Sequence, residues 1–390
     1  MVIWLSLTIL LFIISISPAL VFTRYVSTQL NKKISSSYSP KVSIILPCCG
    51  LDTGFEENLN AVLSQDYASF EVVFVVAQVD DPAYPIITEI IRSKPHAKLV
   101  VAGIGNQQCA QKLHNQVKAV EATNSSTEIL LFLDSDIRPA SLFIKNIVER
   151  FQESDIGATY GYRWYVPPQG SGFWPIVHSQ FNAAVFPFLV SPGLAFGGAM
   201  AMRKQTFFDV NLDKIWLKSL SDDFTLTKAV RQKGLKIQFI PQCLVPTIEP
   251  TKPSVLFEWS RRQCIIHKIY DFRTWLPTVL FYLAKLPLAL MGIYYVFFTR
   301  SSSIVLTLGL LLLALADIIP IYSVLDATRK IGRHMKIDYA ANRLFFPYLL
   351  ALPASYLLFA YALISSLLSS RIAWRDIRYH LHSPQEIERY

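Results

Sequence analysis

The chain has 390 residues, of which 52% are apolar and 17% charged, with a formal net charge of +9; soluble globular chains run at about 45–50% and about 25%. That balance excludes disorder and an ordinary soluble enzyme, while 37 basic and 28 acidic side chains exclude a bare membrane channel. A polar domain joined to a few spanning helices fits both limits.

Residues 2–23, VIWLSLTILLFIISISPALVFT, carry no charge. As a helix they reach about 33 Å, enough for a hydrocarbon layer of about 30 Å. A signal peptide is the rival reading, but the stretch is long, has no basic region before it and no A-x-A site. Arg24, Lys32 and Lys33 follow it, so the positive-inside rule puts residue 24 onward in the cytosol. Residues 30–40 read as a Ser-rich polar linker.

Next come KVSIILP (41–47), FEVVFVVAQ (70–78) and TEILLFLDSD (127–136), short apolar runs that end in polar residues. Helix-like stretches such as 54–65 and 83–93 lie between them. Buried strands alternating with helices predict a mostly parallel sheet covered on both faces. Ligands of such sheets bind at the carboxyl ends of the strands. Here those ends carry Pro47-Cys48-Cys49-Gly50, Asp80-Asp81 and Asp134-Ser135-Asp136.

Asp134 and Asp136 leave a buried strand one residue apart, so their carboxylates point the same way. Both could ligate one Mg²⁺ or Mn²⁺ through oxygen, or one could ligate while the other binds a sugar hydroxyl. The plain alternative is an Asp turn capping the next helix. Asp80 and Asp81 could accept hydrogen bonds from a ribose or a base edge, or could simply form a turn before a helix opened by Pro82. Asp222 and Asp223 in SLSDDFTLTKAV open another helical pattern. Adjacent carboxylates repel, which raises one of them and suits it to general-base work; an N-cap role is compatible with that. In FEWSRRQCIIHKIY (257–270), Arg261 and Arg262 could bind a leaving diphosphate or rest on anionic lipid. Lys112 and Asn115 of AQKLHNQVKA are further candidates, and His178 reads as structural.

After about residue 272 three apolar runs follow, roughly 276–298, 303–323 and 345–369, interrupted by Lys285, Asp317 and Pro353. The last 20 residues are polar and basic. The five cysteines, Cys48, Cys49, Cys109, Cys243 and Cys264, include no CxxC and read as reduced cytosolic thiols. The positive charge could serve nucleic acid or an anionic lipid surface. It clusters beside the apolar runs, at Arg329, Lys330, Arg333, Lys336 and Arg343 among others, which favours the bilayer and predicts no nucleic-acid partner.

Taken in order, these pieces resemble the membrane-bound GT-A glycosyltransferases of the family-2 superfamily, and within it the ceramide glucosyltransferases and their bacterial glycolipid-synthase relatives. KVSIILPCCGLD is similar to the family's first strand and Gly-Asp turn. EVVFVVAQVDDPAY is similar to its first-aspartate segment, with Asp81. QKLHN looks like the KxxN element, with Lys112 and Asn115. LFLDSDIRP is similar to the second-aspartate segment, with Asp134 first. GGAMAMRKQTF looks like the wall before the acceptor site, SDDFTLTKAV matches the third aspartate at Asp223, and WRDIRYHL looks like the family's end. One departure stands out. Where the family has (Q/R)xxRW, residues 260–264 read SRRQC, with Arg262 and Gln263 as the nearest match and Trp259 upstream.

The resemblance implies a GT-A nucleotide-sugar-binding domain and an inverting transfer of a hexose, such as glucose, from a UDP-sugar donor to a membrane lipid hydroxyl, ceramide or diacylglycerol for example. It implies a divalent metal at Asp134 and Asp136, nucleotide-sugar contacts from Asp80, Asp81, Lys112, Asn115, Asp134, Arg262 and Gln263, and Asp223 as base. The expected organisation is a helix at 1–24, a linker at 25–40, a cytosolic catalytic domain at 41–272, membrane helices at 273–370 and a basic tail at 371–390. Four spans would put that tail outside, against the positive-inside rule; one run is therefore expected to be re-entrant or interfacial, 345–369 or the one containing Lys285. The competing functions are a processive polysaccharide synthase, for which three C-terminal runs are few, and an inactive membrane scaffold, which the presence of all three aspartates disfavours.

Overall fold

Each short apolar run in the first half of the chain becomes a strand covered on both faces. The computed structural model describes residues 2–32, 38–191, 193–249, 251–298 and 304–390. The chain begins with α1 (Val2–Leu30) and continues through β1 (Val42–Pro47), α2 (Phe55–Leu63), β2 (Phe70–Val76), α3 (Ala83–Ile91), β3 (Ala97–Val101), α4 (Gln111–Glu121) and β4 (Ile129–Leu133). Then come α5 (Phe143–Val148), β5 (Ile156–Tyr165), α6 (Phe173–Ala183), β6 (Ala199–Arg203), α7 (Lys204–Asp209), α8 (Leu212–Trp216), α9 (Asp222–Gln232) and β7 (Lys236–Thr247). The remainder is α10 (Pro253–Tyr270), α11 (Phe272–Phe298), α12 (Ile304–Met335), α13 (Phe345–Leu368), β8 (Arg371–Trp374), β9 (Ile377–Ser383) and β10 (Glu386–Arg389).

The expected sheet is present. Seven strands lie in the order β3-β2-β1-β4-β6-β5-β7. β1 pairs parallel with β2 and β4, β2 with β3 and β5 with β7, while β6 runs antiparallel to both of its neighbours. The carboxyl ends of the parallel strands and the amino end of β6 therefore share one edge. Helices cover both faces. On one face Phe132 of β4 meets Trp216 edge-on at 5.0 Å, and Trp216 donates to Thr225 Oγ1 at 3.0 Å, which ties α8 to the start of α9.

Among the described residues four helices, α1, α11, α12 and α13, are long and apolar enough to cross a membrane. At one end α1, α11 and α12 gather round Trp4, whose indole donates to the Leu288 carbonyl at 3.2 Å and whose ring occupies the space a Cβ on Gly309 would need. At the other end Phe22 and Val26 of α1 and Val324 and Ile331 of α12 enter the core under the sheet. Here the structure departs from the expected boundaries. Residues 25–30 continue α1 because Tyr25 donates to the Phe239 carbonyl at 2.6 Å and Gln29 accepts from Arg150 at 3.0 Å; residues 33–37 of the linker lie outside the described residues. Arg329, Lys330 and Arg333 sit on the last turns of α12.

α13 behaves differently from the other three. Its start is bonded to α6 through Tyr348 and Ser179, 2.6 Å apart, and its middle through Ser355 and Gln180 at 2.7 Å. Its end is bonded to α10 and α11 through Lys268 on the Ser366 carbonyl and Trp275 on Ser366 Oγ at 3.2 Å. The two ends of α13 are thus both bonded on the side of the α/β domain. The basic tail, in turn, is a three-stranded antiparallel sheet, β10-β9-β8. Alternation puts Ile372, Tyr379, Leu381 and Ile387 inward, and Tyr390 and Arg389 close it onto Arg378 and Gln107.

Candidate active site

The shared strand edge opens into a cleft of 2130 Å³. β4 ends at Leu133 and delivers Asp134 and Asp136; the reversed β6 arrives there through Gly197 and Gly198. Both glycines are required by close approach. A Cβ on Gly198 would stand 2.6 Å from Asp134 Oδ2, and one on Gly197 would collide with the Asp222 carboxylate. α9 begins on the same edge, capped by Ser221, which accepts from the Phe224 amide at 3.3 Å.

The two adjacent aspartates of α9 are handled in opposite ways. Asp222 is 4% exposed and is held by Lys112 at 2.9 Å and by Gln116 at 3.1 Å. Asp223 takes its hydrogen bonds from the Ser221 hydroxyl and from the Phe224 amide at 2.7 Å. Burial, and then the Asp222 charge, push Asp223 up to about 6. The repulsion anticipated from sequence is therefore resolved in favour of Asp223 as the residue that titrates high.

Cations stand directly against these carboxylates. Lys112 bridges Asp222 and Asp134, the latter at 2.8 Å; burial would lower it, but the two carboxylates hold it above its ordinary value. Arg163 grips Asp136 with both terminal nitrogens at 2.6 and 2.7 Å and Asp134 with one at 3.0 Å. Burial opposes ionisation of Asp134, yet Lys112 and Arg163 keep it below the usual carboxylate range, whereas burial raises Asp136. Arg375 pairs with Asp52 at 2.6 Å, and Ser135 donates to the same carboxylate at 2.8 Å. Trp374 stacks against both Lys112 and Arg262, with the cations 5.8 and 5.5 Å from the ring centroid. Burial lowers Arg262 to about 10, which leaves it charged at neutral pH.

The cleft brings Asp134, Asp136, Lys112, Asn115, Asp223, Arg262 and Gln263 together. Asn115 accepts from Gln111 at 2.7 Å. Asp81 sits behind the lining, where it receives the Gly50 and Ala83 amides at 3.0 and 2.9 Å and so fixes the turn after β1; Asp80 beside it is exposed. His178 is structural, as read from sequence. It lies 2.8 Å from Thr251 Oγ1 and stacks on Tyr165 at 3.8 Å, and burial pushes it down to about 3. Cys109 is buried, while Cys49 is the exposed thiol and lines the cleft.

Sequence reasoning missed Asp52, Arg163, Trp374 and Arg375 as site residues. Arg163 carried a usable signal, a lone charge inside the otherwise apolar and aromatic run IGATYGYRWY of β5. Trp374 and Arg375 lie in a tail segment whose position over the cleft depends on folding of the whole chain. They also supply, from more than 100 residues downstream, an aromatic ring against Arg262 where SRRQC lacks one.

The donor set fits a divalent ion of the Mg²⁺ or Mn²⁺ type. Asp134 and Asp136 present hard oxygens, each carboxylate oxygen keeps a second lone pair beside its Lys112 or Arg163 bond, and Gly198 leaves the space next to Asp134 Oδ2 clear. Such an ion would share these carboxylates with Arg163.

Comparison with known proteins identifies the group to which this arrangement belongs. The family model described as Glycosyl transferase family 21 matches residues 7–387. Among solved structures, a mannosyltransferase, PcManGT from Pyrobaculum calidifontis in complex with GDP-Man and Mn²⁺, is similar with a TM-score of 0.51 at 16% identity, covering 94% of this chain and 98% of that one. GalNAc-T7 with UDP, GalNAc and Mn²⁺ gives 0.42 at 12% identity, covering 61% and 51%. The first likeness is one of fold, the GT-A fold. The chain belongs to glycosyl transferase family 21.

Proposed function

We propose that this family 21 glycosyltransferase moves a hexose, glucose being the first candidate, from a UDP-sugar to a lipid hydroxyl with inversion at the anomeric carbon. The observation that carries the reading is the course of the cleft. It starts at Asp134 and Asp223 and continues without a break past Thr278 and Phe281 of α11 to Ile14 of α1 and Phe359 of α13. A polar reaction centre that opens directly onto apolar helices suits an acceptor with a hydroxyl at one end and hydrocarbon at the other.

Asp223 is the general base in this account. With its pKa pushed up to about 6, it is ionised at neutral pH and basic enough to take the acceptor proton as the hydroxyl oxygen attacks. Asp222, held by Lys112, cannot serve without breaking a buried ion pair. Lys112, Arg163, Arg262 and Arg375 offset the charge of the departing nucleoside diphosphate, and preorganised charge of this kind acts most strongly in a site shielded from water. Asn115 and the turn held by Asp81 support the nucleotide, with Asp80 and Gln263 at the rim. A divalent ion on Asp134 and Asp136 would act as a Lewis acid toward the diphosphate. One displacement converts an α-linked donor into a β-linked product. The α/β domain lies on the cytosolic face, as the basic residues after α1 and on the last turns of α12 favour.

The test is mass spectrometry of lipids formed when membranes containing the protein receive a mixture of UDP-sugars. New hexosyl-lipids that vanish with Asp223→Asn support the proposal. Soluble or polymeric glycan as the product, with no hexosyl-lipid, overturns it.

A further inference from the structure

Beyond the main cleft lies a second hollow of 150 Å³ beneath α6, walled by α1, α11, α12 and α13. The two spaces share Ser15, Ala184, Phe188, Phe281, Tyr282 and Phe359, so one opens into the other through a mouth of small and aromatic side chains. Tyr282 and Phe359 stack there at 4.8 Å. The mouth is apolar, but the far wall is not. Lys285 of α11 meets Asp317 of α12 at 2.6 Å, and Tyr356 of α13 donates to the same Asp317 oxygen at 2.6 Å. Lys285 is 4% exposed, and its ammonium faces the rings of Tyr356 and Phe281 at 5.4 and 5.5 Å.

These polar groups already satisfy one another, so the wall has no need of a polar ligand. Its effect is to end an apolar path. We propose that the hollow receives the end of a hydrocarbon tail of the lipid acceptor, and that the Lys285–Asp317–Tyr356 wall sets the longest tail that fits. The inference rests on the lipid-acceptor reading above and adds a chain-length rule to it. The space is worth about five water-sized units. Each methylene that enters it exchanges loose hydrocarbon contacts in the membrane or micelle for packed contacts with the wall. Carbons beyond that count meet a closed, charged wall, where extra volume is penalised as overpacking.

An ion pair that served only to pin three helices together would leave tail selection untouched when replaced. Exchange of a buried pair for apolar side chains of similar volume is commonly neutral or stabilising, so Lys285→Met with Asp317→Leu is a fair probe. Ala184 is exposed at the mouth, so Ala184→Trp should narrow the entry without disturbing the core.

The experiment uses the full chain in mixed micelles, one UDP-sugar, and acceptor lipids with one head group and tails that lengthen by two carbons at a time. Transfer kcat/KM is measured alongside acceptor-independent UDP release. The wild-type protein should show an optimum tail length. The double variant should move it to longer tails by two carbons or more, and Ala184→Trp should move it to shorter ones while UDP release stays within two-fold. An optimum that stays put in Ala184→Trp, with or without a folded double variant, overturns the ruler, as does a loss of transfer that is equal at every tail length. Steady UDP release with no transfer to any lipid in the series would instead remove the lipid-acceptor reading, and the ruler with it.

Discussion

Asp222 and Asp223 share a helix turn and a charge type, and differ in what faces them. Lys112 neutralises the first and Gln116 donates to it; the second has a hydroxyl and a backbone amide as donors. An Asp whose pKa is raised to about 6 is active as a base only above that value, so kcat should fall about tenfold per pH unit below pH 6. Asp223→Asn should lower kcat by about 10²–10⁴ and abolish that limb, with donor KM changed little. Asp222→Asn removes the like charge, so the limb should move toward lower pH, though burial, the larger cause, remains. It also frees Lys112 from one of its two partners and should raise the donor KM. Rate-pH profiles of the two variants separate these roles, and a normal profile in Asp223→Asn would move the base elsewhere.

The elements that position these residues were unevenly readable. β1, β2 and β4 announce themselves as apolar runs ending in polar residues, because strands buried on both faces cannot alternate. The ends of those strands exposed Asp134 and Asp136 to sequence reasoning in the same way. The reach of α1 to Leu30 was hidden, since Tyr25 and Gln29 are polar side chains whose partners, Phe239 and Arg150, lie far along the chain. The tail was hidden for the same reason. β8, β9 and β10 are short and mixed in character, and bonds to residues far back in the chain, Arg375 to Asp52, Arg262 to the Ala373 carbonyl and Arg389 to Gln111, bring Trp374 and Arg375 to the cleft. The Arg375–Asp52 pair is partly exposed, so its loss should change stability by no more than about 1 kcal/mol. A hydrogen bond to a charged phosphate is worth about 1.5–3 kcal/mol, so Arg375→Ala should raise the UDP-sugar KM and lower kcat, together at least about tenfold in kcat/KM. An unchanged kcat/KM would make the tail sheet a cover rather than a part of the donor site.

At the scale of the whole molecule, α13 has both ends bonded to the α/β side, and we propose that it is the run that does not cross, which reconciles four apolar helices with a basic tail. On that proposal α1, α11 and α12 cross the bilayer, with Val2 on one face and Cys49 and Tyr390 on the other. In a Cys49→Ser background, Val2→Cys should react with an impermeant thiol reagent on intact cells, and Tyr390→Cys only after the cytosolic face is opened; both positions are exposed, at 78% and 57%. Labelling of both from one side would refute this arrangement. The central claim, a single displacement at the sugar driven by Asp223 toward a lipid hydroxyl, is tested most directly by the anomeric configuration of the glycolipid made from α-linked UDP-glucose, read by proton NMR of the purified product. A β-linked glucosyl-lipid is the predicted result; an α-linked one would contradict the account.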